Sequence, residues 1–278
     1  MNRLELPHHE RIQDGTFRRG VDLIDQGDVA GLCAHLREHP GLVRERVVFE
    51  SDSYFRNPTL LEFIAENPIR RGVLPGNITE IAAAIIDAGA DQSAIDKTLG
   101  LAATGRVPRE CRVQLPLIDL LCARGADPNS AIEPAALHGE FDAVEALLAR
   151  GARMTLPIAG ALGQTDSATD MLPHTGARER HLALALAAQF GHIEIVRLML
   201  DGGEDPDRYN PPGGHSHSTP LHEAAVAGHE DVVRLLVERG ARVDQQDLLW
   251  RGTPAAWAAH AGNHELAEYL RSEERRRS

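Results

Sequence analysis

Aromatic residues are scarce. Phe, Tyr and Trp make up 4% of the 278 residues, so a core built on large rings is excluded and aliphatic and small side chains must supply the 42% that is hydrophobic. Cysteine is scarcer still. Cys33, Cys111 and Cys122 are odd in number and lack CxxC spacing, which argues for reduced thiols rather than a disulfide frame or a cysteine zinc site. The opening MNRLELPHHERIQD has no apolar centre of a secretory signal, and no apolar run approaches the length of a membrane span. A cytoplasmic protein with no membrane contact is expected. Basic charge is also short: 29 Lys and Arg face 41 Asp and Glu, a net charge of −12. The one basic cluster, Arg271 to Arg276, is diluted by Glu273 and Glu274. Phosphate backbones require a basic footprint, so no nucleic-acid partner is expected. Catalytic signatures are missing as well. There is no GxSxG, no glycine-rich phosphate loop before a basic residue and no HExxH. The chain reads as a non-enzyme that needs no cofactor.

What is present is repetition. The clearest unit runs Thr219-Pro220-Leu221-His222-Glu223-Ala224-Ala225, then Gly228-His229, then Val232-Val233-Arg234-Leu235-Leu236, and closes at Gly240-Ala241. Thr219 is suited to cap a helix, and Pro220 fits its first position, where a missing N–H costs nothing. Gly228 and Gly240 supply left-handed turns that end the two helices. Glu230 and Asp231 place negative charge at the start of the second helix, where the dipole favours it.

The same grammar recurs before Gly89, Gly125, Gly151, Gly203 and Gly240. In each case the residues eight, seven, five and four positions earlier are apolar, from Ile81, Ala82, Ala84 and Ile85 through to Val232, Val233, Leu235 and Leu236. The position between them is Ala83, Asp119, Glu145, Arg197 or Arg234. One wet face and one dry face predict an amphipathic outer helix in every copy. Small pairs precede the inner turns at Ala135-Ala136, Ala159-Gly160, Ala187-Ala188, Ala224-Ala225 and Ala258-Ala259, where larger side chains would push neighbouring inner helices apart. Inner-turn glycines are expected at Gly105, Gly139, Gly163, Gly191, Gly228 and Gly262. The second helix after Gly163, TDSATDMLP, lacks the apolar stripe and should be short or distorted.

TPLHEAAVAGHEDVVRLLVERGARVD resembles the ankyrin repeat nearly throughout, and another copy opens at Thr253-Pro254. RGADPN (124–129) and DGGEDPD (201–207) are similar to that family's closing loops. The resemblance implies an all-α solenoid of about eight helix pairs with short β-hairpin fingers, some pairs degenerate. It divides the chain into an N-terminal tail 1–12, degenerate pairs 13–178, well-formed repeats 179–272 continuous with the preceding stack, and a C-terminal tail 273–278. It also implies a protein partner bound on the concave face and fingers, by a chain expected to be monomeric.

Three stretches are candidates for that contact. The finger from Asp207 to Ser218 gathers Arg208, Tyr209, Asn210, His215 and His217, just before Glu223, and resembles a finger recurrent in bacterial ankyrin-repeat proteins. Tyr209 is either a binding anchor or a brace for the next finger. That next finger is Asp247-Leu248-Leu249-Trp250-Arg251, with Trp257 in the helix beyond. The third stretch, Ser53 to Pro58, repeats the aromatic-Arg-Asn-Pro composition with Tyr54 and Arg56, while Phe55 is expected in the core. A rival reading puts a small-molecule or metal site, with catalysis open, near His215, His217, Glu223 and His260. Spacing there gives no third histidine ligand, because His222 belongs to the TPLH turn, and no metal is expected.

Overall fold

The structure, a computed structural model of the chain, describes residues 8–49 and 54–277. Residues 1–7 of the expected N-terminal tail, Ser53 of the third candidate stretch and Ser278 lie outside the described residues. Among the described residues there are seventeen α-helices and no strand. Contacts divide the chain into two compact units, Met1–Arg153 and Met154–Ser278. The sequence grouping at 178/179 follows how well each copy keeps the repeat, whereas the units follow packing.

The first unit begins with a helical turn, α1 (His8–Arg11), and the pair α2 (Gly15–Gln26) and α3 (Val29–Glu38). A 3-10 helix, Leu61–Ala65, then pairs with α4 (Ile78–Asp87). Next come α5 (Gln92–Ala103), α6 (Arg106–Glu110), α7 (Gln114–Ala123), α8 (Asn129–Leu137) and α9 (Phe141–Ala149). Helix α5 packs on α7 and α8 on α9, while α5 and α8 stack as inner helices and α4, α7 and α9 as outer ones.

The second unit holds four such pairs: α10 (Leu156–Leu162) with α11 (Thr165–Met171), α12 (Ala177–Gln189) with α13 (Ile193–Asp201), α14 (Pro220–Ala227) with α15 (Glu230–Glu238), and α16 (Pro254–His260) with α17 (His264–Arg277). Its inner helices stack in the order α10, α12, α14, α16. That stacking is close because the facing residues are small. Ala159, Ala187, Ala188, Ala224, Ala225 and Ala258 are wholly buried, and a methyl group on Gly160 would come within 2.8 Å of the Ala183 carbonyl oxygen.

Local chemistry starts and stops these helices. Asp14, Asp28 and Asp91 accept the N–H groups of Phe17, Gly31 and Ala94 at 2.7–2.9 Å, capping α2, α3 and α5. Gly240, at φ 95°, ends the turn after α15 in a conformation that strains any side chain. The outer-helix register holds. The first, second and fourth of the four apolar positions are buried in every copy, whereas the third is half-buried at Ala84, Leu120, Ala146 and Leu198 and buried only at Leu235.

The structure departs from the sequence reading in four places. Gly105 is not a left-handed turn: its φ is −85°, and it precedes the short helix α6. Pro108 and the Leu101 carbonyl crowd the place of its Cβ, so glycine serves close approach there. The fingers are turns tied by single backbone hydrogen bonds, Asn210 N–H to Ser218 O and Asp247 N–H to Gly252 O, both 2.9 Å. The C-terminal tail is helical as far as Arg277, whose guanidinium donates to the carbonyls of Ala241 and Val237 at 2.8 Å. The expected tail 1–12 already turns into helix at His8. Helix α11, as expected, is short, with Ala168 its one buried residue.

Candidate functional site

The candidate site is built from two successive fingers of the second unit. The first finger is anchored from below. His181, wholly buried on α12, donates from Nε2 to the carbonyl of Arg208 at 2.9 Å. Burial, helped by the Arg208 charge, lowers its pKa to about 4, so the ring is neutral at pH 7. The Arg208 guanidinium reaches the Ala177 carbonyl at 2.8 Å and Glu204 at 3.7 Å. Asn210 donates from Nδ2 to Ser218 Oγ at 3.2 Å. His215, in a left-handed conformation at φ 57°, meets the Glu223 carboxylate at 3.2 Å. That bond holds its pKa above the usual value against the opposing effect of burial. Ser218 Oγ also contacts the Glu223 carboxylate.

The second finger turns on one carboxylate. Asp247 is wholly buried, and its oxygens accept the N–H groups of Leu249, Trp250 and Gly252 and the indole N–H of Trp257, all between 2.7 and 3.0 Å. Burial alone would push this carboxyl up, but the four donors outweigh it and lower the pKa to about 2. The loop is therefore rigid, and it displays large apolar groups. Leu248, Leu249 and Trp250 are 54%, 64% and 69% exposed.

The fingers are joined. The Tyr209 hydroxyl donates to the Gln246 carbonyl at 2.6 Å, and the Leu248 N–H donates to the His217 carbonyl at 2.9 Å. The His217 ring stands edge-on to Trp250 at 5.0 Å and tilted to Trp257 at 5.6 Å, and the two indoles lie 5.9 Å apart. Beside them a cleft of about 420 Å³ is lined by Val226, Trp250, Gly252, Ala256, Trp257 and His260. A second hollow, of about 440 Å³, brings Tyr209 and Arg251 together with Arg242 and Leu248. Below both, His222 accepts from the Thr219 N–H and hydroxyl at Nδ1 and donates from Nε2 to the Gly252 carbonyl at 3.2 Å. It ties its own helix to the finger that follows.

The structure thus brings Tyr209, His217, Trp250, Arg251 and Trp257 to one surface. Asn210 and Glu223, expected among the contact residues, are interior supports of the first finger. Tyr209 acts as a brace through its hydroxyl. Tyr54 and Arg56 belong to the first unit, where both are exposed, the Tyr54 hydroxyl donates to Asn67 Oδ1 at 2.6 Å and Phe55 is buried. Asp247, Leu248 and Leu249 belong to the second candidate stretch, but the sequence assigned none of them a role. Their signals were present: an aspartate five residues before a glycine, enclosing Leu-Leu-Trp between polar neighbours.

Stacked helix pairs, alanine-lined inner helices, glycine-ended turns and paired fingers define the ankyrin-repeat class. Residues 135–247 match the family model described as ankyrin repeats (3 copies). The chain carries ankyrin repeats across this stretch. It is similar to the ankyrin repeat and SAM domain-containing protein 6 of Mus musculus, with 30% identity over 105 residues. That stretch covers 38% of this chain and 12% of the mouse protein. Ankyrin repeats generally mediate contacts between proteins. Among the described residues no helix is long and apolar enough to cross a membrane.

Proposed function

We propose that the chain is a non-enzymatic scaffold that takes a protein partner on the surface of these two fingers. The observation that carries this reading is the run Leu248-Leu249-Trp250, exposed on a loop that the buried Asp247 holds rigid. Contiguous large apolar groups facing water are costly unless a partner covers them, and tryptophan and arginine supply a disproportionate share of binding energy in interfaces. Trp250, Arg251, Trp257 and His217 are the residues assigned to contact. The free thiols Cys33, Cys111 and Cys122 support a cytoplasmic setting, and the first finger's resemblance supports a bacterial one.

The test is quantitative capture from native cells, comparing wild-type bait with Leu249→Ser/Trp250→Ser. Proteins retained by the wild type should fall at least tenfold on the double variant, with circular dichroism unchanged. Equal capture by both baits sinks the assignment. The cleft beside Trp257 favours a second reading, in which a small molecule fills it. A thermal shift with small metabolites that disappears on Ala256→Trp would support that reading.

A further inference from the structure

Among the described residues, one group of three side chains of the metal-ligating kinds brings its donor atoms within 4.8 Å of one another, and it lies in the first unit. It comprises His35, Glu38 and His39 at the end of α3. Their spacing, i, i+3 and i+4, sets His35 and Glu38 on the last helical turn with His39 at its C-cap. The sequence HLREH holds the same residue types as HExxH in another order, which is why a search for HExxH passes over it.

Four features beyond proximity point to a cation. First, His35 is already oriented: its Nε2 lies 2.9 Å from the Thr16 carbonyl oxygen. A carbonyl only accepts, so Nε2 carries the proton and Nδ1 keeps a free lone pair. A second ring nitrogen held by a backbone carbonyl is the usual support of a metal-bound imidazole. Second, the His35 and His39 rings stand edge to face with centroids 4.9 Å apart, close enough for two nitrogens to share one ion. Third, α3 ends here, and the last carbonyls of a helix carry the negative end of its dipole. Fourth, the nearest cation in sequence is turned away, since Arg37 donates from Nε to the Cys33 carbonyl at 3.2 Å.

We propose that His35, Glu38 and His39 form a zinc site of two imidazole nitrogens and one carboxylate oxygen. Ligand atoms on a tetrahedral zinc lie about 3.4 Å apart, so donors already within 4.8 Å close onto the ion by side-chain rotation of the two exposed residues, Glu38 and His39. Imidazole nitrogens select zinc over magnesium and calcium, which prefer all-oxygen shells. Three protein ligands leave a coordination position open to water or to a side chain brought by a partner. The site is independent of the fingers and of what they bind.

The experiment uses the full chain, stripped with chelator, titrated with Zn²⁺ by calorimetry and then dialysed for metal analysis. One equivalent of zinc per chain is expected, unaffected by millimolar Mg²⁺. His39→Ala and Glu38→Gln alter exposed side chains, so the fold should survive both, as circular dichroism will check. Each should weaken zinc binding at least tenfold, the lower end of what losing even an outer-shell partner costs. His215→Ala/His217→Ala should leave it unchanged. The proposal is overturned if no zinc binds, if His39→Ala binds as tightly as wild type, or if the His215/His217 variant is the one that loses the metal.

Discussion

In the second unit, the inner turns of neighbouring helix pairs are joined by single side-chain-to-carbonyl hydrogen bonds. His192 donates from Nε2 to the Ala161 carbonyl at 3.0 Å, His229 to that of Gln189 at 3.0 Å, and Asn263 from Nδ2 to that of Val226 at 3.1 Å. Each donor sits under an inner-turn glycine. A methyl group on Gly163, Gly191 or Gly228 would come within 2.7 to 3.0 Å of it, so glycine there serves both its positive φ and the space it leaves. The first unit keeps one clear copy of this device, Asn77 Nδ2 to the Gly27 carbonyl at 2.9 Å. Elsewhere it mixes amide links, such as Asn67 Nδ2 to the Leu101 carbonyl at 3.0 Å, with buried charge. Arg70, almost wholly buried, is held by Asp25 at 2.9 Å and Glu66 at 2.7 Å, and its guanidinium lies over the Phe63 ring. The Glu66 carboxylate also collects the N–H groups of Arg70, Arg71 and Gly72. Glu62 takes Lys97 at 2.6 Å, and Arg109 pairs with Glu140. The lesson concerns what a repeat can lose. Where the 3-10 helix Leu61–Ala65 replaces an inner α-helix, more backbone N–H groups go unpaired, and buried carboxylates satisfy them. A neutral bond to a carbonyl needs one residue in register. A buried ion network needs several at once.

The comparison breaks most readily at Glu66. Glu66→Ala leaves Arg70 with less compensation in a buried position and should destabilise the chain by about 3–5 kcal/mol in urea unfolding. A loss under 1 kcal/mol would mean that Asp25 alone suffices and that the network is no more than a surface pair.

Acid should act on the second unit through His181. Its folded pKa, about 4, lies below the ordinary histidine value of 6.5, so between these two values the unfolded chain holds a proton that the folded chain does not. Stability therefore falls as pH drops from 6.5 to 4, by about 3 kcal/mol for this group. His222 is lowered by burial and adds in the same direction. Asp247 acts in the same direction in a lower pH window. Its folded pKa is depressed, so its contribution is intact above about pH 4 and is lost only as pH falls toward 2. Denaturant midpoints at pH 7 and pH 4.5 should differ markedly in the wild type and less in His181→Asn. Equal pH slopes would remove His181 from the account.

The smallest effect sharpens the contrast. His229→Ala removes one neutral link and leaves the Gln189 carbonyl short of a donor, at a cost of about 1–2 kcal/mol. If it costs as much as Glu66→Ala in the same titration, the two kinds of joint are equivalent and the distinction between the units fails.

The outer helices and their closing glycines were legible because both signals are local. An apolar stripe has the helical period, and a left-handed turn selects glycine at one position. Gly105 misled because glycine also serves close approach, which depends on residues packed from elsewhere. The buried charges of the first unit were invisible for a similar reason. Asp25 and Arg70 meet only after folding, and nothing in either neighbourhood announces the other. At the candidate site the aromatic and histidine content of the fingers was readable, but its division into supports and displayed groups was not. Asn210 and Trp250 look equally eligible in sequence, and the fold buries one and exposes the other. Asp247 was visible only as a member of its stretch, because three of its four partners are backbone N–H groups, which carry no side-chain signature.

The three links under the inner turns all point one way along the chain, opposite to the His181 and His222 bonds, whose acceptors Arg208 and Gly252 follow their donors. Ala161 waits for His192, Gln189 for His229 and Val226 for Asn263, so every acceptor precedes its donor. A chain leaving the ribosome exposes each inner-helix end to water until the following pair has emerged. Each of these three locks can close only once the following pair has been made. A pause in synthesis between two pairs would leave the last completed one unlocked.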